Sequence, residues 1–238
     1  MTDISTLVKG IEDLNIELDD HQLESFTTYK ELLKEWNQKI NITSITEDVE
    51  IDIKHFLDSL TPISTNLMDG KKKLIDIGTG GGFPGIPLKL YNPELEVTLL
   101  DSLNKRIIFL DEVIKNLNLK DIEAVHGRAE ELGRTREYRE VYDICISRAV
   151  AALDTLAEYC MPFVKVGGYF IAMKGPDVEE ELKESEKGIE ILGGKIIKTE
   201  ILTLPESDIR HSLIIIEKIK ETPTKYPRAG GKPRSNPL

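Results

Sequence analysis

The first 70 residues carry apolar positions at the three- and four-residue spacing of amphipathic helices. Between residues 21 and 40 the apolar residues fall on one helical face: Leu23, Phe26, Tyr29, Leu32, Leu33, Trp36 and Ile40. After the polar segment 41–44 a second such run contains Ile51, Ile53, Phe56, Leu57, Leu60 and Ile63. Asp19 and Asp20 precede the first run and are typical helix-capping residues. We therefore predict an N-terminal helical subdomain over residues 1–70.

From residue 71 to residue 220 short apolar strands alternate with amphipathic helices. The predicted strands are 74–77, 97–100, 122–125, 141–147, 169–173, 196–204 and 212–219, and the predicted helices are 84–91, 104–117, 153–161 and 177–192. Continuous apolar strands separated by helices indicate a parallel sheet covered on both faces. Because the last two strands have no predicted helix between them, they should run antiparallel. The pattern predicts a doubly wound, Rossmann-like α/β domain with a seven-stranded, mostly parallel sheet.

The end of the chain differs from the rest in composition and charge. Prolines at positions 223, 227, 233 and 237 disfavour regular structure, so we predict an extended basic tail over residues 221–238. Residues 218–238 hold six Lys or Arg and one Glu, whereas the whole chain has a net charge of -11. A basic end attracts a polyanion that an acidic body repels. Nucleic acid is therefore expected to bind through local patches, and the alternative is a merely solvated tail.

The overall composition is that of a globular protein with a real core. Of the 238 residues, 40% are hydrophobic and 31% are charged, which excludes fibrous and wholly disordered chains. The sequence shows neither a signal-peptide pattern nor an apolar run long enough to cross a bilayer. Cys145 and Cys160 lack the spacing of a disulfide scaffold or a zinc site. We expect a cytoplasmic protein without membrane or metal partners.

A glycine-rich segment, Asp76-Ile-Gly-Thr-Gly-Gly-Gly-Phe-Pro, lies where the first predicted strand passes into a helix. Doubly wound sheets bind ligands at this kind of position, and glycines let the backbone approach a ligand closely. The pyrophosphate of NAD or FAD would lie at the helix N-terminus and face the like charge of Asp76. A ligand with a cationic amino group and a sulfonium, but no phosphate, is favoured there. The residues therefore favour S-adenosylmethionine.

Three further predicted strands end at the same edge of the sheet. Asp101 follows the second strand, where a carboxylate accepts hydrogen bonds from ribose hydroxyls; its alternative role is to cap the next helix. The third strand leads to Ala129 and Glu130, whose backbone amides could read an adenine edge unless they form a plain loop. Arg148 ends the fourth strand, and the Asn/Asp-Pro-Pro-aromatic motif of exocyclic-amine methyltransferases is missing there. A substrate atom with a free lone pair would need neither a general base nor a covalent nucleophile.

Together these motifs resemble the bacterial 16S ribosomal RNA guanine-N7 methyltransferase family known as RsmG or GidB. The resemblance spans essentially the whole chain. It is carried by Trp36-Asn37-x-x-Ile40-Asn41-Ile42-Thr43, Lys54-His55-Phe56-x-Asp58-Ser59, the glycine-rich segment, Asp101-Ser102-x-Asn104-Lys105-Arg106, Arg128-Ala129-Glu130, Ser147-Arg148-Ala149-Val150, Lys174-Gly175 and Tyr226-Pro227-Arg228.

The resemblance implies a class I methyltransferase that transfers methyl from S-adenosylmethionine to N7 of a guanine in the 530 loop of 16S rRNA, leaving S-adenosylhomocysteine. The implied cofactor-binding residues are Asp76, Gly78, Gly80, Phe83, Asp101, Ser102, Ala129, Glu130 and Arg148. Arg148 is also the candidate for positioning substrate or cofactor. Guanine N7 carries a lone pair and no hydrogen, so its methylation requires no general base.

RNA contact requires basic residues, which supply salt-dependent affinity for phosphate. The candidates are Lys105, Arg106, Lys174, Lys225, Arg228, Lys232 and Arg234. Arg134, Arg136 and Arg139 are expected instead to pair with neighbouring glutamates on a solvated helix, and His55 and His211 are expected to be packing or capping residues.

The expected partner is 16S rRNA, in the 30S subunit or an assembly intermediate, and we expect a monomer. Two other functions are open: an NAD-dependent oxidoreductase, and a non-catalytic ribosome-assembly or RNA-binding factor. Binding of S-adenosylmethionine but not NAD(H) separates the first from a methyltransferase, and methyl transfer to RNA separates the second.

Overall fold

The computed structural model of the protein describes residues 2–148 and 150–238, so Ala149 of the Ser-Arg-Ala-Val segment lies outside the described residues. The described residues form one seven-stranded sheet in the order β3-β2-β1-β4-β5-β7-β6. Its strands are β1 (Lys73–Ile77), β2 (Glu96–Asp101), β3 (Ile122–His126), β4 (Tyr142–Arg148), β5 (Val164–Lys174), β6 (Gly194–Thr203) and β7 (Arg210–Lys218). Strands β1 to β5 pair in parallel, and β7 is antiparallel to both β5 and β6. The predicted fold class is therefore confirmed.

The helices lie before, between and after the strands. They are α1 (Ser5–Asp13), α2 (Asp20–Asn37), α3 (Asp48–Ile51), a π-helix (Asp52–Leu57), α4 (Asp58–Leu60), α5 (Gly85–Tyr91), α6 (Asn104–Asn116), α7 (Ala129–Leu132), α8 (Leu153–Cys160), α9 (Glu179–Ile191) and α10 (Lys232–Ser235). A capping box begins α2, in which Asp19 accepts from the Gln22 amide and the Gln22 side chain accepts from the Asp19 amide. The short helices α1, α7 and α10 were not among the individually predicted elements.

The N-terminal helices pack on one face of the sheet and share its core. Phe26 and Phe56 belong to the same buried cluster as Phe109 of α6 and Ile144 of β4. Boundaries between independently folding domains fall where few contacts cross, whereas the packing across residue 70 is continuous. The proposed boundary there marks a change in the type of secondary structure within one core.

A fully buried ion pair fixes the N-terminal helices to one another. Lys30 Nζ of α2 lies 2.6 Å from Asp52 Oδ1, and both side chains are almost completely buried. The same ammonium donates to the carbonyls of Asp3 and Asp48, and Asp52 accepts from the backbone amide of Leu7 in α1. Buried charges of this kind are tolerated when their hydrogen bonds are satisfied. The pair ties the π-helix, which carries His55 and precedes Asp58, to α1 and α2.

The C-terminal tail is packed on the domain, so the prediction of an extended arm was wrong. Thr222, Tyr226 and Pro233 are buried, and Lys232–Ser235 forms the short helix α10. The tail carbonyls find donors far away in the sequence: Arg139 donates to Thr222 and Tyr226, and Arg134 donates to Pro227.

The prediction of a solvated helix around these arginines was wrong as well. Residues 134–140 form turns rather than a helix. The guanidinium groups of Arg134 and Arg139 bind the backbone of the tail, because its irregular carbonyls need donors that a helix or sheet would otherwise supply.

Candidate active site

The loop after β1 brings a run of glycines to the carboxyl edge of the sheet. Gly78 and Gly82 have φ values of 71° and 97°, a backbone region that glycine adopts at little cost. A Cβ atom would lie 2.6 Å from a Val150 methyl group at Gly78 and 2.5 Å from Ile86 Cδ1 at Gly82. The Tyr29 hydroxyl of α2 donates to the Gly81 carbonyl. Neighbouring side chains therefore hold the loop close on one side, and its other side is available to a ligand.

Asp76 lies behind this loop and braces it. Its Oδ2 atom accepts from Thr79 Oγ1 at 2.7 Å and from the Gly85 amide at 2.9 Å. Complete burial raises the pKa of Asp76 to about 6. The second oxygen, Oδ1, is buried and has no hydrogen-bond partner within the described parts of the chain. The residue thus keeps one acceptor free for a donor or cation that approaches the loop.

Asp101 is buried at the end of β2 and accepts three hydrogen bonds. Oδ2 accepts from the Gly80 amide at 2.9 Å and from Arg106 Nη1 at 3.0 Å, and Oδ1 accepts from the Leu103 amide at 2.9 Å. An ionised carboxylate offers about four acceptor positions. Asp101 therefore orients the glycine loop and the start of α6, and a ribose hydroxyl would compete with or join Arg106 on the same carboxylate.

A cavity of about 820 Å³ opens at this edge of the sheet. Its wall includes Thr43, Lys54, His55, Asp58, Gly78, Gly80, Phe83, Asp101, Ser102, Arg106, Arg148, Met173, Lys174, Leu204, Ile209, Arg210 and His211. A smaller cavity of about 160 Å³ shares Gly78, Asp101 and Ser102 with it and is also lined by Ala129 and Glu130. All predicted cofactor-binding residues except Asp76 line one or both cavities, and Asp76 lies beneath the loop.

Arg148 is held at the cavity by a carboxylate that also binds a histidine. Arg148 Nη1 lies 2.5 Å from Asp58 Oδ2 and 3.1 Å from the Lys54 carbonyl. Asp58 Oδ1 lies 2.7 Å from His211 Nδ1. Burial acts to raise the pKa of Asp58, but the hydrogen bond from His211 and the charge of Arg148 outweigh it and hold that pKa below its ordinary value. Asp58 is therefore an ionised bridge between β4 and β7.

Sequence reasoning missed Asp58 and His211 as site residues. Asp58 belonged to a segment that carried the family resemblance, but its role there was open, and His211 was expected to be a packing or capping residue. The available signal was two polar segments, Lys54-His55 and Asp58-Ser59, that interrupt the apolar positions of the second predicted helix.

His55 lines the cavity and packs on Phe83. The two rings are stacked with centroids 4.5 Å apart at an interplanar angle of 9°, and the Arg148 guanidinium lies 5.3 Å from the Phe83 centroid. Thr43 Oγ1 lies 2.9 Å from His55 Nε2. Burial, with the nearby charge of Arg148, lowers the pKa of His55 to about 3. The imidazole is therefore neutral at physiological pH.

Acid is expected to destabilise the fold through His55. The unfolded imidazole takes up a proton near its ordinary pKa of 6.5, whereas the folded one stays neutral to about pH 3. The contribution of His55 to the free energy of unfolding is thus complete above pH 6.5. It decreases as the pH is lowered, and at pH 5 it is smaller by about 2 kcal/mol. Urea unfolding at pH 7 and pH 5 measures it. The His55→Gln variant should lose about 2 kcal/mol less over this range, and equal losses would contradict a neutral His55.

The predicted RNA-binding residues divide into two groups. Lys105, Lys225, Lys232 and Arg234 are exposed to solvent. The other three are engaged within the protein: Arg106 with Asp101, Lys174 with Glu181 and the Ala151 carbonyl, and Arg228 with Glu158. Arg210, which the sequence did not single out, is exposed in the cavity wall. The exposed group and Arg210 are the better placed to contact phosphate.

The cysteines lie in the core. Cys145 in β4 and Cys160 in α8 are free and completely buried, and burial raises the pKa of the Cys145 thiol. Such thiols are poor nucleophiles because the thiolate is the reactive form. In the described part of the chain, no helix is both long enough and apolar enough to cross a membrane.

Comparison with known families gives one match over most of the chain. The family model GidB, described as rRNA small subunit methyltransferase G, matches residues 22–211. A relative from Alkaliphilus metalliredigens is 54% identical over 232 residues, covering 98% of this chain and 97% of its own. A relative from Acetivibrio thermocellus is 56% identical, with 98% and 95% covered. Both are named ribosomal RNA small subunit methyltransferase G.

Solved structures show the same fold at low sequence identity. M. jannaschii TYW2 in complex with AdoMet gives a TM-score of 0.52 at 18% identity, covering 68% of this chain and 77% of its own. TrmN from Thermus thermophilus gives a TM-score of 0.53 at 14% identity, covering 78% of this chain and 53% of its own.

Proposed function

The chain belongs to the rRNA small subunit methyltransferase G family, and on this premise we propose that it methylates N7 of a guanine in the 530 loop of 16S rRNA, nucleotide 527 in the usual numbering. The methyl donor is S-adenosylmethionine. The observation that carries the proposal is the continuous cavity wall formed by the glycine loop, Asp101 and Arg148 at the carboxyl edge of the sheet. Ligands bind at this position in doubly wound sheets.

The site residues fit S-adenosylmethionine, which when bound supplies an electrophilic methyl group on a sulfonium. The buried Asp76 Oδ1 atom, which has no hydrogen-bond partner within the described residues, would place negative charge beneath the loop and so suit the cationic amino group of this ligand. Asp101 would hold the ribose, with Ser102 beside it, and the smaller cavity at Ala129 and Glu130 has room for the adenine. A pyrophosphate would face buried carboxylate charge here, so the oxidoreductase alternative is disfavoured.

Guanine N7 needs little chemical help from the protein. Its lone pair forms the new N–C bond, and the electron pair of the breaking C–S bond goes to sulfur, so no proton has to be removed. His55, whose ring stacks on Phe83, lines the cavity and adds no charge next to a bound base. Alignment of the reacting atoms supplies roughly 7–11 kcal/mol in favourable cases. Catalysis by this chain would therefore rest on orientation and exclusion of water.

The charges around the cavity suit a reaction that places a positive charge on the base. N7-methylguanine is cationic, so nearby carboxylates stabilise it as its charge develops. Arg148 alone would oppose that charge, but its ion pair with Asp58 at 2.5 Å compensates the guanidinium. Asp76 and Asp101 add further acidic groups at the loop. The acidic body of the protein is thus compatible with an RNA substrate at this site.

RNA would be held by exposed cations, of which Arg210 lies in the cavity wall and the others lie outside it. Lys105, Lys225, Lys232, Arg234 and Arg210 are placed to contact phosphates. N7 faces the deep, narrow groove of A-form RNA, so the target guanine should be unpaired or splayed out of its helix. We propose that the protein acts as a monomer on the 30S subunit or on an assembly intermediate.

Methylation of the target guanine tests the proposed function. Purified protein should transfer labelled methyl from S-adenosylmethionine to 30S particles from cells that lack the gene, and cleavage at N7-methylguanine should locate the label in the 530 loop. Particles from wild-type cells, already methylated, should take up little label. Cofactor binding without N7 methylation of any particle or RNA would instead support the assembly-factor alternative.

A further inference from the structure

His211 presents a buried nitrogen for which the protein provides no partner. The residue lines the 820 Å³ cavity from the start of β7, and 6% of its surface is exposed. Nδ1 is bound to Asp58, but Nε2 is buried and has no hydrogen-bond partner within residues 2–148 and 150–238. A buried polar atom left unsatisfied costs roughly 1–3 kcal/mol. An unsatisfied nitrogen in a cavity wall indicates a group that arrives with the substrate.

The neighbours of His211 determine what that nitrogen can do. Asp58 has no proton to donate, so His211 donates its Nδ1–H to Oδ1 at 2.7 Å. In the tautomer that directs its single ring hydrogen from Nδ1 to Asp58, the imidazole carries a lone pair on Nε2. Nε2 is an acceptor waiting for a donor.

We propose that His211 Nε2 accepts a hydrogen bond from N1–H of the target guanine and so selects guanine at this site. The inference rests on the proposed function. N1–H lies on the Watson–Crick edge, across the base from the atom that receives the methyl group, so the contact leaves N7 free. Enzymes that act on extruded bases commonly read this edge by hydrogen bonds. His211 acts on the base, and Asp58 acts through His211 as a positioning residue.

The contact favours the transition state over the bound substrate. As N7 gains the methyl group, positive charge spreads over the purine and makes N1–H a stronger donor. The hydrogen bond to His211 therefore strengthens during the reaction, and interactions of that kind raise the rate of the chemical step. The proton stays on N1.

The same contact rejects adenine. Adenine presents a lone pair at N1, which would face the lone pair of Nε2 in a buried site. Sites built to satisfy one hydrogen-bonding partner reject analogues without it by roughly 10⁴–10⁵-fold in favourable cases. His211 thus provides a basis for base selection that the glycine loop and Arg148 do not.

Two substitutions separate this role from a structural one. In His211→Asn the side-chain amide can replace the Nδ1–H bond to Asp58, but the variant has no atom at the Nε2 position. In His211→Gln the longer side chain places an amide group near the Nε2 position. Methylation of 30S particles by the Asn variant is expected to fall about 100-fold in kcat/KM, as when one transition-state hydrogen bond is removed. The Gln variant should retain more activity. Affinity for S-adenosylhomocysteine should stay unchanged in both, and exposed His21→Asn serves as the matched control.

A change in the RNA tests the partner atom. Small-subunit RNA assembled from ligated fragments with 1-deazaguanosine at the target position replaces N1–H by C–H. The kcat/KM of the wild type should be about 100-fold lower on this RNA than on the natural RNA. The kcat/KM of His211→Asn, already reduced by the substitution, should be nearly the same on both RNAs. Equal activity of wild type and His211→Asn, or independent losses from the two changes, would overturn the proposal. Inactive wild type on unmethylated 30S particles from cells that lack the gene would instead refute the proposed function.

Discussion

Unfolding of the Arg228→Ala variant is expected to require about 3–5 kcal/mol less free energy than unfolding of the wild type. Glu158 is 1% exposed and accepts from both Nε and Nη2 of Arg228, and the Arg228 backbone amide donates to it as well. Removing the guanidinium leaves a carboxylate buried in α8 without its counter-charge. Urea unfolding at neutral pH measures the loss.

Two further variants identify the cause of that loss. Arg234→Ala removes an exposed cation of the same tail and should change stability by less than about 0.5 kcal/mol. Pairing Arg228→Met with Glu158→Gln removes both charges and should recover most of the lost stability. A loss below about 1 kcal/mol for Arg228→Ala would mean that the ion pair does not hold the tail.

Replacing Asp101 by alanine is expected to weaken binding of S-adenosylmethionine by roughly 1000-fold, about 4 kcal/mol. The carboxylate orients the glycine loop through the Gly80 amide and, in our proposal, accepts hydrogen bonds from the ribose. Hydrogen bonds to a charged group contribute about 1.5–3 kcal/mol each, so losing two accounts for the expected effect. Calorimetric titration with S-adenosylmethionine measures it directly.

The control for this change lies on the following helix. Asp111→Ala removes an exposed carboxylate of α6 and should leave cofactor affinity unchanged. Far-UV circular dichroism and urea unfolding of Asp101→Ala show whether the variant is folded under the titration conditions. Equal affinity in a folded Asp101→Ala variant and the wild type would rule out the ribose assignment.

Most of the sheet could be predicted because its strands carry their own signal. The continuous apolar runs of β1, β2 and β4 indicate strands buried on both faces, and the absence of a predicted helix before β7 indicates an antiparallel end. The position of the candidate site could be predicted from the segment Asp76 to Pro84 for a similar reason. In this segment a strand, a turn that needs glycine and a helix follow one another directly. Such local signals are readable without the tertiary structure.

The parts that could not be predicted depend on residues distant in the sequence. The prolines of the tail indicate irregular backbone, but the guanidinium groups that bind it come from Arg134 and Arg139. Asp58 at the start of α4 and His211 in β7 are brought together only by the tertiary fold, and neither has a local pattern that reveals its partner. The same holds for Arg228, whose guanidinium pairs with Glu158, 70 residues away in the sequence.

The hydrogen bond from Tyr29 to the Gly81 carbonyl makes the methyl-donor pocket depend on helix α2. The catalytic half of this chain is therefore not a portable module: a fragment starting near residue 71 would retain every glycine of the loop and lose the hydroxyl and aromatic rings behind it. Exchanging the helical segment between relatives would therefore alter donor affinity, unless the tyrosine and its packing partners were transplanted together.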